Sequence, residues 1–255
     1  MQDFRGLAPQ QWHQRYLVQA GWTQHIRQYF LEKIHPVPGL RILEIGSGTG
    51  AVLQAINKAR IYNIFGVDID RPSLAYSNSQ YPTFKLVQGN GQALPYSQNT
   101  FDLTFCHYLL MWVENPRQIL YEMYRVTAPG GWVLALAEPD HVARLDYPPP
   151  LDQLGKQQTQ SLLEQGVDIR MGRKLRSLFY QTRLTDIEVG IMSAEWNQQA
   201  SSAIDETEWV MAQADLNDRL TDVELRDFQQ ADQLARHSGA RILFIPTFYA
   251  FGRVT

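Results

Sequence analysis

A single cysteine, Cys106, is all that the 255 residues contain. That excludes an intramolecular disulfide and any cysteine-cluster metal site, and leaves stability to hydrophobic burial. Charge bias is also lacking: 23 Lys and Arg against 26 Asp and Glu give a net charge of −3, with no run of one sign. Nucleic-acid surfaces are ordinarily basic, so no nucleic-acid partner is expected. Apolar runs are short, as in Val133–Ala137, and none approaches the roughly 20 residues of a membrane-spanning helix. Met1–Leu7 lacks the basic and apolar regions of a signal peptide, so a cytoplasmic protein without a membrane span is expected. Repeats are missing, and the only compositional tilt is toward glutamine.

What is present is a regular alternation. Aromatic and aliphatic residues between 10 and 35 recur at three, four and seven, which predicts one or two amphipathic helices interrupted near Gly21 and stopped at His35-Pro36. Strands are then predicted over 41–45, 62–68, 84–88, 101–106 and 132–137, with helices over 50–60, 72–80 and 116–127 between them. Past Pro139 the pattern loosens. A stiff Tyr147-Pro-Pro-Pro150 connector precedes a polar helix over 151–166 and a second helix over 173–182. A strand over 185–192, a long charged helix over 206–237 and one closing strand over 242–254 complete the chain. This order predicts an α/β fold with a doubly wound, mainly parallel Rossmann-like sheet and helical lid insertions. The expected organisation is one domain over 1–255: a helical cover at 1–38, a cofactor-binding core at 39–140, and lids at 141–170 and 196–240.

Ligands of such sheets sit outside the carboxyl ends of the strands. There the sequence places Gly46-Ser-Gly-Thr-Gly50, a turn that lets backbone approach a ligand beside a helix N-terminus. Asp68 closes the second strand 22 residues after Gly46, where a carboxylate can accept both ribose hydroxyls of a nucleoside. Nicotinamide-dependent oxidoreductases share these features, and Ala51 satisfies their fingerprint. Glu44 discriminates: a pyrophosphate would be repelled by it, whereas a sulfonium bearing an ammonium group would be favoured.

The ordered motifs I-L-E-I-G-S-G-T-G, G-V-D-I-D, V-Q-G-N-G-Q-A-L-P-Y-S-Q-N-T-F-D-L and R-V-T-A-P-G-G-W-V-L resemble those of class I S-adenosylmethionine-dependent methyltransferases. The nearest branch is the small-molecule one of the ubiquinone/menaquinone-biosynthesis type. The resemblance covers about residues 10–140 and implies a seven-stranded sheet, S-adenosyl-L-methionine as cofactor and S-adenosyl-L-homocysteine as product. It also assigns Gly46, Ser47, Gly48 and Gly50 to the methionine portion, Asp68 to the ribose and Ile69 to packing on the adenine. Asn90 stands where the family has an acidic residue for the adenine amino group; it keeps an acceptor oxygen but loses the charge. Gly91 and Gln92 would add backbone contacts, and Glu44 and Tyr16 are further cofactor candidates.

His107 and Tyr108 follow the fourth strand, where the family places residues near the transferred methyl. His107 reads either as a general base or cofactor-orienting group, or as a histidine satisfied by its own loop. Tyr108, Trp112, Glu138, Asp140 and His141 are acceptor-binding candidates, although the last three equally suit a capping role. Cys106 reads as a small buried hydrophobe. No metal site is expected, and the acceptor is read as a small organic molecule. The alternatives are a nicotinamide-dependent oxidoreductase and a non-catalytic S-adenosylmethionine- or S-adenosylhomocysteine-binding protein.

Overall fold

The structure is a computed structural model that describes residues 7–59, 61–192, 209–210 and 212–255. Its main sheet has seven strands: β1 (Arg41–Ile45), β2 (Asn63–Asp68), β3 (Lys85–Gln88), β4 (Phe101–Cys106), β5 (Thr127–Pro139), β7 (Thr185–Ile191) and β9 (Thr247–Arg253). Their spatial order is β3-β2-β1-β4-β5-β9-β7. The first five run parallel, and β9 is antiparallel to both β5 and β7. The expected doubly wound, mainly parallel α/β sheet is therefore the observed one.

Alternation along the strands creates two cores, because successive side chains point to opposite faces. Leu43 and Ile45 face α5 (Pro116–Val126) and α7 (Met171–Tyr180), in a cluster with Ile119, Met123 and Leu175. Ile42 faces the other way, toward Ala20 of α1 (Pro9–Trp22), Phe30 of α2 (Gln24–Ile34) and Leu53 of α3 (Ala51–Ile56). Glu44, two residues from Ile42, shares that second face. The remaining core helix, α4 (Arg71–Gln80), starts at Asp70, whose side chain accepts from the Ser73 N–H at 2.9 Å.

Several boundaries differ from the sequence reading, each for a local reason. The first helix pair breaks at Thr23 and not at Gly21; the Thr23 hydroxyl reaches the Gln19 and Ala20 carbonyls. α3 is a short helix, and Arg60 at the end of the predicted span lies outside the described residues. Strand β5 begins five residues before Trp132, because Ala128–Gly131 forms a bulge between the pairs Phe101–Thr127 and Leu103–Trp132. The predicted closing strand is two: Pro246, which has no N–H to donate, separates β8 (Ile242–Phe244) from β9. Strand β8 leaves the main sheet and pairs with β6 (Leu145–Tyr147) in a two-stranded sheet.

Strand β6, α6 (Leu151–Glu164) and α8 (Asp222–His237) fall within the two spans expected to be lids, and β8 lies just beyond the second. A satellite core of Leu151, Leu154, Leu216, Leu225 and Ala235 holds them together. Thr221 caps α8 with a reciprocal Glu224 capping box, so the charged region 206–237 is not one continuous helix. The parts of that region and of the 196–240 lid that fall at 193–208 and 211 lie outside the described residues, as do 1–6 of the cover.

One aromatic cluster clamps the cover to the sheet. Phe251, 2% exposed on β9, packs on Phe30 at 5.3 Å and Trp132 at 5.9 Å between ring centroids. Phe251→Ala should lower stability by about 3–5 kcal/mol, the usual cost of emptying such a site. Guanidinium unfolding monitored by tryptophan fluorescence measures it, and a loss below about 1 kcal/mol would refute the clamp.

Candidate functional site

The carboxyl ends of β1, β2, β4 and β5 open into one cleft of ≈2390 Å³. Ordinary ligand pockets hold about 300–1,000 Å³, so this cleft has room for a cofactor and an acceptor together. Tyr16, Glu44, Gly46, Ser47, Gly48, Asp68, Ile69, Asn90, Gly91, Gln92, His107, Tyr108, Trp112 and His141 all line it. Gly50, Glu138 and Asp140 do not line it.

The glycine turn is held by strand β2. Gly46 and Ser47 donate their N–H groups to the Val67 carbonyl at 2.8 and 3.1 Å. Gly46, Gly48 and Gly50 have φ of +74°, +48° and +80°, the left-handed region in which a side chain is strained. Asp68 then braces the turn: its Oδ2 accepts the Gly48 N–H at 2.6 Å and its Oδ1 the Asp70 N–H at 2.8 Å. Each carboxylate oxygen has a second lone pair, so Asp68 keeps acceptor capacity toward the cleft. Beside it, Ile69 is 57% exposed, an apolar plate with no protein cover. Asn90 Oδ1 accepts the Gln92 N–H at 2.9 Å, leaving one lone pair on that oxygen.

Glu44 is 2% exposed, and its Oε2 has no hydrogen-bond partner. Burial, and then the Asp68 charge, pushes its carboxyl well above the usual range, while Arg27 pulls the other way. Ser47 Oγ is likewise buried without a partner. Orphaned buried polar groups are costly and rare. Here they cluster around the glycine turn, where a ligand bearing N–H groups would satisfy them. A methionine-type ammonium, a ribose and an adenine fit Glu44, Asp68 and Ile69 respectively.

Beyond β4 the chain turns sharply. Tyr108 has φ of +51°, a strained value for a bulky residue. Glu138 makes the turn possible. Fully buried at the end of β5, it accepts N–H groups from Leu109 and Leu110 through Oε1 (3.1 and 2.8 Å) and from Met111 through Oε2 (3.1 Å). Burial raises its carboxyl to about 8. Both oxygens are thus committed to backbone, and Glu138 shapes the site from behind. Asp140 is similarly occupied, in a bidentate pair with Arg173 at the start of α7.

His107 faces the helical cover. Its Nε2 is 2.9 Å from the Thr23 hydroxyl, which also accepts from Arg27. Burial and the Arg27 charge hold the imidazole at about 3. So weak a base is poorly matched to removing a proton near neutral pH, and the geometry favours an orienting role over a general base. The Tyr108 hydroxyl pairs with Thr247, and burial raises it to about 12. Burial also raises the Cys106 thiol well above its usual range, which suits an inert core residue. Among the described residues, no three His, Cys, Asp or Glu side chains gather as a metal site.

Residues 43–135 match the family model described as a methyltransferase domain. Demethylmenaquinone methyltransferase of Renibacterium salmoninarum is 30% identical to this chain over 125 residues, 49% of this chain and 52% of that protein. The chain spans about half the length of the curated relatives it matches, 52%, 38% and 49% for the first three. Phosphoethanolamine N-methyltransferase 2 of Haemonchus contortus, solved with S-adenosyl-L-methionine, superposes with a TM-score of 0.59 at 15% identity. That match covers 89% of this chain and 52% of the other. The [4+2]-cyclase SpnF superposes equally widely, with a TM-score of 0.57 at 16% identity over 91% of this chain and 81% of that one. The fold alone therefore does not assign a reaction. The sequence over residues 43–135 and the seven-stranded sheet are both similar to those of methyltransferases.

The cleft and its glycine turn draw on residues that sequence reasoning passed over. Thr23 and Arg27 on the cover reach His107, and His13 Nδ1 meets Thr49 of the glycine turn at 2.9 Å. Arg144 also lines the cleft. None of these carried a signal in the sequence, because each depends on elements brought together by folding. No helix of the described residues is long and apolar enough to cross a membrane.

Glu138 yields a pH prediction. The folded chain keeps its proton up to about pH 8, whereas an unfolded carboxyl releases it near 4.5. The associated stability is complete below pH 4.5 and is lost as pH rises through 8. Between pH 5 and 8 the wild type should therefore lose stability relative to Glu138→Gln, by an amount on the order of a few kcal/mol. Urea unfolding at matched pH measures this, and parallel curves for the two proteins would disprove it.

Proposed function

We propose that the protein transfers a methyl group from S-adenosyl-L-methionine to a small organic acceptor, releasing S-adenosyl-L-homocysteine. The observation that carries the reading is the set of groups around the glycine turn: the orphaned Glu44 oxygen, Asp68 with free acceptor capacity, and the bare Ile69 face. When bound, that cofactor supplies an activated electrophilic methyl on a sulfonium. The chain's own residues then have to bind, align and exclude water.

In this reading Gly46, Ser47, Gly48 and Glu44 hold the methionine portion, and Asp68 accepts the ribose hydroxyls. Ile69 and the Asn90–Gln92 turn flank the adenine, and Tyr16 closes over Gly48 from α1. Gly50 acts indirectly, by setting the turn. His107, tied to Thr23, orients the methyl-bearing end of the site, and Tyr108 and Trp112 form an aromatic wall for the acceptor. Glu138 and Asp140 position the loops that carry them. The cover and the 141–170 segment supply the water-excluding lids. Glu44 argues against a nicotinamide cofactor, whose pyrophosphate it would repel.

Isothermal titration tests the cofactor directly. S-adenosylmethionine and S-adenosylhomocysteine should bind, and NAD should not; tight NAD binding alone would overturn the proposal. Asp68→Ala should weaken S-adenosylhomocysteine about ten- to a hundredfold, the range of charge-assisted hydrogen bonds. An unchanged dissociation constant would remove Asp68 from the ribose. With an accepted substrate in hand, turnover should show no inflection between pH 6 and 9 that disappears in His107→Asn, since His107 titrates near 3.

A further inference from the structure

The turn after β5 carries a histidine ring whose nitrogens the fold itself does not use. His141 opens the 3-10 turn His141–Ala143 and lines the cleft. Its Nδ1 is buried without a hydrogen-bond partner. Nε2 makes no hydrogen bond to the described residues and is not enclosed as Nδ1 is, so the ring meets the cleft through its Nε2 edge. Strand β5 lies two strands from β1 in the sheet, about 10 Å at the usual strand spacing, which sets this ring well apart from the glycine turn.

Backbone hydrogen bonds fix the ring's position. The His141 N–H donates to the Ile169 carbonyl at 2.9 Å, and the neighbouring Asp168 N–H donates to the Met111 carbonyl at 2.9 Å. Asp168 also fastens this segment to α7, because its carbonyl accepts the Met171 N–H at 3.1 Å. The segment around Asp168 is thus a bracket between the turn that carries Tyr108 and Trp112 and the turn that carries His141. Charge beside the ring is balanced. Arg144 gives Nε and Nη2 to the two Asp146 oxygens at 2.6 and 3.2 Å, and Asp140 is committed to Arg173. Burial, and then the Arg144 charge, lowers the imidazole to about 4, with Asp140 pulling the other way. At pH 7 the ring is therefore neutral and carries one proton. Enclosed N–H groups are left orphaned more rarely than enclosed acceptors, which puts that proton on Nε2 and leaves a lone pair on Nδ1. His141 presents an uncharged N–H donor to the cleft.

We propose that His141 anchors the methyl acceptor through a hydrogen bond from Nε2–H to a neutral carbonyl oxygen of that molecule. A single uncharged donor does not offset the cost of stripping water from a carboxylate, and a donor-only group such as an ammonium finds no lone pair at the Nε2 edge. A carbonyl meets both conditions. The Tyr108–Trp112 wall beside the ring suits an apolar or aromatic body next to that carbonyl. His141 selects and orients the acceptor here, and its proton stays on the ring. The word acceptor rests on the proposed methyl-transfer reading, but the anchor itself can be tested without it.

The test is calorimetric titration of the full chain, with and without saturating S-adenosylhomocysteine, using benzamide, benzoate and benzamidine. These probes share one shape and present a neutral carbonyl, an anion, and a cation without an acceptor. Benzamide should bind about five- to tenfold more tightly than either of the others, the range of one hydrogen bond. His141→Phe should bring benzamide down to the benzamidine level at unchanged melting temperature. Nitrogen-15 spectra of the unaltered protein, with the histidines assigned, give a second readout that needs no folded variant. At pH 7 the His141 proton should sit on Nε2, and that signal should move as benzamide is added. A proton on Nδ1 would overturn the anchor, as would tighter binding of benzoate or benzamidine, or no binding of benzamide at millimolar concentration. Loss of benzamide binding on saturation with S-adenosylhomocysteine would also overturn it, by giving the ring to the cofactor. Failure of S-adenosylhomocysteine itself to bind, with the benzamide preference intact, would sink the methyl-transfer reading and leave the anchor standing.

Discussion

Tight turns beyond the ends of parallel strands leave backbone N–H groups with no ladder partner, and this site depends on buried carboxylates to satisfy them. Asp68 does so for the glycine turn, and Glu138 does so for the turn after β4. In each case a side chain from one strand fixes the loop that follows its neighbour. The cost of burying each acid is offset by the two or three backbone N–H groups that its oxygens accept. Without Glu138, the left-handed Tyr108 and the turn behind it would have no counterweight. Precision at the cleft is therefore a property of the sheet and not of flexible loops.

A second consequence is that charges around the cleft are held in pairs. Asp68 is tied to the glycine turn at the β1–β2 end, while on the lid side Arg144 and Arg241 share Asp146, and Arg241 and Arg236 share Asp232. The helical cover contributes to the same design. Arg27 opposes the rise that burial imposes on the Glu44 carboxyl and adds to the burial that lowers the His107 imidazole. The cover is thus part of the electrostatics of the site as well as a barrier to water.

Much of the fold was legible because its signals are local. Alternating apolar residues, the Pro-Gly breaks and the glycine turn mark five strands and three helices with small boundary errors. The breaks were misplaced where a tertiary contact overrides the local pattern: at Thr23, at the Ala128–Gly131 bulge and at Pro246. Cofactor candidates were legible for the same reason, since they sit at strand ends where topology alone gathers them. The acceptor side was not. Glu138 and Asp140 are acidic residues in the right place by sequence, yet both face away from the cleft into hydrogen bonds with backbone and Arg173.

By itself the sequence determined the order of elements, the parallel sheet and the carboxyl-end location of the glycine turn, because strand periodicity and turn chemistry act over a few residues. Only the tertiary structure decided which polar side chains face the cleft. His107 is claimed by Thr23 from 84 positions away, and Arg241 is drawn to Asp146 across 95. Hydrogen bonds and ion pairs of that range follow from the packing of cover and lid onto the sheet, and no local pattern encodes them.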